Sequence, residues 1–314
     1  MCIRDSPDPL AIRALDRTAR IERWLAVTRR ILDQRPWPVT IGPLRAAGMD
    51  VIVRSDHATA ESLTTCLAAL APSPPGTTAP TTLSACGADR GGRYRLYVDG
   101  SRHWRGSSAS DLVASVLSEI TLLATAGTHG YLLWHAGGVE RAGQAVAITG
   151  QSGRGKSTLT AALVQLGFAY LSDELLAVDP TTRSVLPYAK ALDLDPVSCQ
   201  QLDLAVDREL RIGKNRQPVP VAQLGAASAG GDLSLVVLLD DEIRDSEHAN
   251  APPAVRDVLD LVGVTFPESF SDELALASLA SIAASVPLLR LERGPIDHMA
   301  AQVEAALGPT LADG

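Results

Sequence analysis

Eight consecutive residues carry the clearest chemistry in this chain. Gly150-Gln151-Ser152-Gly153-Arg154-Gly155-Lys156-Ser157 fits the pattern G-x-x-x-x-G-K-[ST] at every position. Glycines let a backbone curl until its N–H groups converge on phosphate oxygens. A helix beginning there adds partial positive charge. Lys156 would neutralise the β- and γ-phosphates, the Ser157 hydroxyl would ligate Mg²⁺, and Thr158 would reach the α-phosphate. The apolar run Ala145-Val146-Ala147-Ile148-Thr149 precedes the loop, and Leu159, Leu163 and Leu166 recur at helical spacing after it, before Gly167. A glycine-rich turn with a stray lysine would lack that strand-to-helix setting. Binding of a nucleoside triphosphate, ATP with Mg²⁺, is therefore expected at Gly150, Gln151, Ser152, Gly153, Arg154, Gly155, Lys156, Ser157 and Thr158.

Such a loop does not name the reaction, which depends on the groups facing the triphosphate. Two acidic clusters compete. Asp173-Glu174 follows a short apolar strand, Phe168–Leu171, just beyond the loop's helix. Asp240-Asp241-Glu242 follows the run Leu235-Val236-Val237-Leu238-Leu239 and has the form of a Walker B strand, as in an ATPase that activates water. The bland reading of the second cluster is a strand end running into an acidic loop. Lys214-Asn215-Arg216 forms a basic loop that is either solvated or turned towards phosphate charge. His57, His103, His129, His248 and His298 make no ligand-spaced cluster and read as structural or surface residues.

From Leu133 to Asp179 the chain resembles the HPr kinase/phosphorylase family, specifically its C-terminal catalytic domain and the related serine kinases, and the resemblance extends over about residues 130–300. The residues that carry it are Trp134-His135-Ala136-Gly137-Gly138-Val139, the loop with Ser152 and Gly153, and Gly167-Phe168-Ala169-Tyr170-Leu171-Ser172-Asp173-Glu174. His135 lies 21 residues before Lys156, and Asp173 lies 17 after it. Glu174 stands where the family usually has a second aspartate. The resemblance implies a P-loop nucleotide-binding core of the HPr kinase/PEP carboxykinase-like type. It also implies an ATP-dependent kinase acting on a hydroxyl, mainly serine, of a peptide, small protein or amino-acid-like acceptor. Asp173 and Glu174 would then be the acidic pair beside the γ-phosphate, one serving as base. His135 would hydrogen-bond to the pair, and Lys156 would stabilise the transferring group. The resembling kinases assemble into hexamers, so a homo-oligomer is an expectation of the same kind. The alternatives are a P-loop ATPase or nucleotide-binding module using Asp240-Asp241-Glu242, and a relative that binds ATP without transferring its phosphate.

The elements that must position these residues follow from the rest of the chain. Its 314 residues suffice for a core without disulfide or metal staples, and 46% of them are hydrophobic. The net charge of −8 gives no overall basic footprint for nucleic acid. Cys2, Cys66, Cys86 and Cys199 are scattered, without a C-x-x-C pair, which fits a reducing compartment and no structural zinc. The apolar stretch Leu274–Leu289 holds three serines and a proline and reads as a buried helix face. No membrane segment and no secretory signal are expected, and the compartment expected is the cytoplasm.

Residues 1–128 read as a small α+β domain. A helix over Ala11–Gln34, rich in arginine, stops at Pro36-Trp37-Pro38. Strands follow near Asp50–Arg54, Thr81–Ala85 and Tyr94–Val98. Between the first two lie a helix over Ala58–Leu70 and a proline-rich loop. Asp99-Gly100 signals a hairpin into Ser101–Arg105. Ser108 or Ser110 caps a helix that reaches Ala126 and is stopped by Gly127. Residues 129–314 read as an α/β catalytic domain. Its strands are Tyr131–His135, Ala145–Thr149, Phe168–Leu171, Leu175–Val178, Leu233–Leu239 and Leu288–Leu291. Its helices begin at Lys156, Ser271 and Asp297.

Overall fold

A computed structural model describes residues 17–75, 79–205, 216–240, 252–271 and 275–308. It is a mixed α/β structure built on two principal sheets. Helix α1 (Arg17–Gln34) opens the described chain. Strands β1 (Val39–Ala46), β2 (Met49–Ser55), β3 (Thr81–Cys86), β4 (Tyr94–Val98) and β5 (Ser101–Gly106) form a five-stranded sheet in that order, with β2 and β3 parallel. At the β4–β5 turn Asp99 and Gly100 both have positive φ, 47° and 86°, the backbone twist a two-residue hairpin needs. Helices α2 (His57–Leu67) and α3 (Ala109–Gly127) cover one face of this sheet. Ser108 caps α3 by accepting from the Asp111 amide at 3.2 Å.

By length and composition α3, and not the Leu274–Leu289 stretch, could cross a membrane. Here Leu112, Val116, Ile120 and Ala124, four residues apart, are fully buried in the core.

The second sheet has eight strands: β6 (Leu132–Trp134), β7 (Gly137–Arg141), β8 (Gln144–Gly150), β9 (Ala169–Ser172), β10 (Leu176–Val178), β11 (Ser184–Leu186), β14 (Gly231–Asp240) and β15 (Leu288–Glu292). A separate ribbon pairs β12 (Leu192–Leu194) with β13 (Gln217–Val219). The path runs β6-β10-β11-β14-β8-β7-β9, with β15 also on β14. Only β8 and β15 run parallel to β14, so the α/β pattern expected from alternating strands and helices produces a mixed sheet.

Period-two alternation sorts the side chains onto its faces. Val146, Ile148, Leu235, Val237 and Leu239 face α4 (Lys156–Gln165), α5 (Pro196–Gln201) and α8 (Ile296–Leu307). Ala145, Ala147, Val236 and Leu238 face α6 (Pro253–Val264) and α7 (Ala275–Ser285). In α7, Ala275, Leu279 and Ile282 are buried, as the apolar spacing of that stretch required. At the β6–β10 edge, Leu133 and Ala177 join the cluster of α2 and α3, together with Leu175, Tyr188 and Ala191. That cluster therefore spans both sheets.

Candidate functional site

Strand β8 ends in the glycine-rich loop, and β14 lies directly beside it, with Leu239 opposite Gly150. A Cβ on Gly150 would stand 2.6 Å from the Leu239 carbonyl oxygen, so only glycine fits the close approach of these backbones. Gly155 takes the left-handed conformation, φ 95°, and starts α4 at Lys156. The Lys156 ammonium turns back over the loop, donating to the carbonyl oxygens of Gly150 at 2.8 Å and Gln151 at 3.3 Å. Burial lowers its pKa, and the like charge of Arg216 lowers it further. Gln151, Ser152 and Gly153 are exposed; Arg154, Gly155 and Ser157 are half-buried. The Thr158 hydroxyl pairs with that of Ser198 at 2.7 Å, and Asp195 holds Ser198 in turn as the cap of α5.

Strand order brings the other candidates to the same end of the sheet. β7 runs antiparallel between β8 and β9, with Gly137 opposite Ile148 and Gly138 opposite Ser172. The start of β7 thus lies beside the ends of β8 and β9, where the loop and the acidic pair begin. His135 was expected on a strand; it lies in the bend between β6 and β7. Its amide donates to the Val264 carbonyl at 2.8 Å, and its ring meets Phe266 edge-on, 5.9 Å between centroids. The residue is exposed overall, yet desolvation of the ring lowers its pKa. Lys156 adds to that lowering, whereas Glu174 and Asp173 oppose it. His135 therefore feels both the loop and the acidic pair. The hydrogen bond expected between His135 and the pair is not formed; a lysine occupies that position.

That lysine is Lys190. Its side chain is 5% exposed, and its ammonium stands 3.2 Å from Asp173 Oδ1 and 3.2 Å from Glu174 Oε2. Burial by itself would lower the Lys190 pKa, but Asp173, Glu174 and Tyr188 outweigh it, and the net shift is upward, so the ammonium is permanent at neutral pH. Asp173 is enclosed. Its Oδ1 also accepts from the Tyr170 hydroxyl at 3.0 Å, and its Oδ2 accepts from the Asp193 amide at 2.9 Å. Ser172 Oγ accepts from the amides of Glu174 and Leu175, fixing the turn that presents the pair. Glu174 Oε2 receives the Thr121 hydroxyl of α3 at 3.3 Å, and Thr121 also pairs with the Tyr188 hydroxyl at 2.8 Å.

On β12, Asp193 pairs with Arg216 at 3.3 Å. Burial, against the pull of Arg216, pushes its carboxyl up to about 6. Of the basic loop, Arg216 alone lies among the described residues, and it faces Lys156 as well as Asp193. For the second acidic cluster, the backbone of Asp240 ends β14 one residue past the Leu239–Gly150 pairing, while Asp241 and Glu242 lie outside the described residues.

Sequence reasoning missed Lys190, Asp193 and the Thr121–Tyr188 contact. For Lys190 one signal existed: it is the lone cation in Val185–Leu194, an otherwise apolar run except for Asp193, and a buried charge requires a counter-ion.

Among the described residues no group of three or more His, Cys, Asp or Glu side chains could hold a metal ion. Mg²⁺ that arrives on a nucleotide needs only one or two protein oxygens, and the half-buried Ser157 hydroxyl at the head of α4 is of that kind. The residues present fit that use.

No family model matches the chain, and no curated protein matches it. Among solved structures, it is similar to the Hpr(Ser) kinase/phosphatase from Coxiella burnetii, with 16% identity over 56% of this chain and 93% of that one. The TM-score is 0.30, a distant likeness that carries no argument about activity.

Proposed function

We propose that the chain is an ATP-dependent phosphotransferase that moves the γ-phosphoryl group to a hydroxyl, mainly serine, of a peptide, small protein or amino-acid-like acceptor. The observation that supports this reading is the convergence at one end of the large sheet. The Gly150–Ser157 loop carries a cation, Lys156, and the neighbouring strand end carries a carboxylate pair clamped by Lys190. The loop amides and Lys156 hold the triphosphate and draw charge from the leaving oxygen; Arg216 adds a second cation. Ser157 would hold the Mg²⁺ that arrives on the nucleotide, and that ion would supply further neutralisation of phosphate charge. The acidic pair orients the acceptor hydroxyl and takes its proton. His135, between loop and pair, is held as neutral imidazole by its lowered pKa and can exchange hydrogen bonds with either.

A second reading is a P-loop ATPase with Asp240 as its Walker B acid. The end of β14 beside Gly150 favours it. Incubation with γ-labelled ATP and serine-bearing peptides separates the two. For the kinase, Lys156→Ala abolishes nucleotide binding and turnover, the double variant Asp173→Ala/Glu174→Ala abolishes transfer, and Asp240→Ala leaves it. If the double variant transfers normally while Asp240→Ala is dead, the ATPase reading replaces the kinase.

A further inference from the structure

The two acids are unlike in what remains open to an acceptor. Asp173 is 3% exposed, and both its oxygens are committed: Oδ1 to Tyr170 and Lys190, Oδ2 to the Asp193 amide. A group that takes a proton from an acceptor needs an oxygen within hydrogen-bond reach of it. Reaching Asp173 would require breaking buried bonds to a buried cation. The Glu174 side chain is 42% exposed, and its engaged oxygen is Oε2, held by Lys190 and Thr121. The glutamate head meets the Tyr170–Asp173–Lys190 cluster at Lys190, through Oε2.

We infer that the pair is divided: Glu174 is the proton acceptor, through Oε1, and Asp173 is a positioning residue that holds Lys190, which in turn holds Glu174. This rests on the phosphotransferase reading above. In the step, the acceptor oxygen forms its bond to the γ-phosphorus as the bond to the β,γ-bridging oxygen breaks. The electron pair leaves with ADP, and the hydroxyl proton passes to Glu174 Oε1. The transition state is loose, so proton transfer is late and makes little demand on the strength of the base.

The test uses the full chain with Mg·ATP and water as acceptor, reading phosphate release, the affinity of a fluorescent ATP analogue and the melting temperature. Glu174→Gln should lower turnover by about 100-fold or more while leaving analogue affinity unchanged, and should lower the melting temperature less than Asp173→Asn does, because the Glu174 side chain is 42% exposed. Asp173→Asn should lower the melting temperature by about 5 °C or more, because it leaves Lys190 under-paired. Below its transition it should keep turnover within about tenfold of the wild type. Lys190→Met should lower kcat with analogue affinity intact, since it frees Glu174 without touching the loop. Full turnover by Glu174→Gln overturns the assignment even if Asp173→Asn does not fold. So does a folded Asp173→Asn that binds the analogue and is inactive. Wild type that neither binds the analogue nor releases phosphate overturns the phosphotransferase reading itself, and the division of roles falls with it.

Discussion

A lysine ammonium taken out of water costs several kcal/mol unless anions surround it. Lys190 meets that cost with two carboxylates at 3.2 Å, and Asp173 spends its remaining lone pairs on Tyr170 and a backbone amide. Charge is balanced less well at Asp193, whose Oδ1 is buried without a hydrogen-bond partner while Arg216 pairs only with the other oxygen. Its pKa, about 6 in the fold against an ordinary 3.8, fixes the direction of a pH effect. A carboxyl raised by folding contributes stability in its protonated form below about pH 4, and the contribution is lost as pH rises through 6. Asp193→Asn should therefore be the more stable protein at pH 7, by about 2 kcal/mol, with the difference closing between pH 6 and 4. Thermal melts of both proteins across that range check it. At this scale the sequence shows groups that act through local order, such as Lys156 at the head of its helix. It does not show Lys190, whose partners lie 16 and 17 residues earlier in the chain and reach it only through the sheet.

Elements with strong periodicity or punctuation were legible: β2, β3, β4, β8 and β14, the Asp99-Gly100 hairpin, and the capped helix α3. β1 was not, because Gly42-Pro43 reads as a loop; the ladder absorbs it by shifting register between Ile41 and Leu44. β11, β12 and β13, three residues each, are too short to show a period, and they are the pieces that carry Lys190, Asp193 and Arg216 into place. The glycines of β7 have a structural reason also invisible in sequence. A Cβ on Gly137 would stand 2.2 Å from the buried Thr160 Oγ1, which donates to the Lys156 carbonyl in the first turn of α4. Gly137→Ala should push α4 from the sheet, destabilising the fold by about 1–3 kcal/mol and weakening ATP-analogue affinity. Gly263→Ala, on the exposed side of α6 with open space around it, should be neutral or stabilising by about 0.5–1 kcal/mol. Denaturant titration of the pair isolates the packing effect.

At the scale of the molecule, one apolar cluster continues across residue 128. Leu112, Val116 and Ile120 of α3 share their cluster with Leu133, Leu175, Ala177 and Tyr188, and the Ala191 amide donates to the Cys66 carbonyl at 2.8 Å. The change of texture at Gly130 does not report what packs across it. Cooperative melting in a single transition is expected of the whole chain. Residues 129–314 produced alone should melt lower and bind a hydrophobic dye, having lost the helix that covers Leu133 and Ala177; calorimetry and dye fluorescence measure both.

The Thr121 hydroxyl bears on how such a protein can be rebuilt or can diverge. It stands in the first half of the chain and touches Tyr188 and Glu174 in the second. A chimera that takes its leading 128 residues from another source replaces one wall of the acidic site along with them. Modular exchange is thus possible only between partners whose third helix brings a hydroxyl to that spot, and a drift in α3 is inherited as a drift in the site.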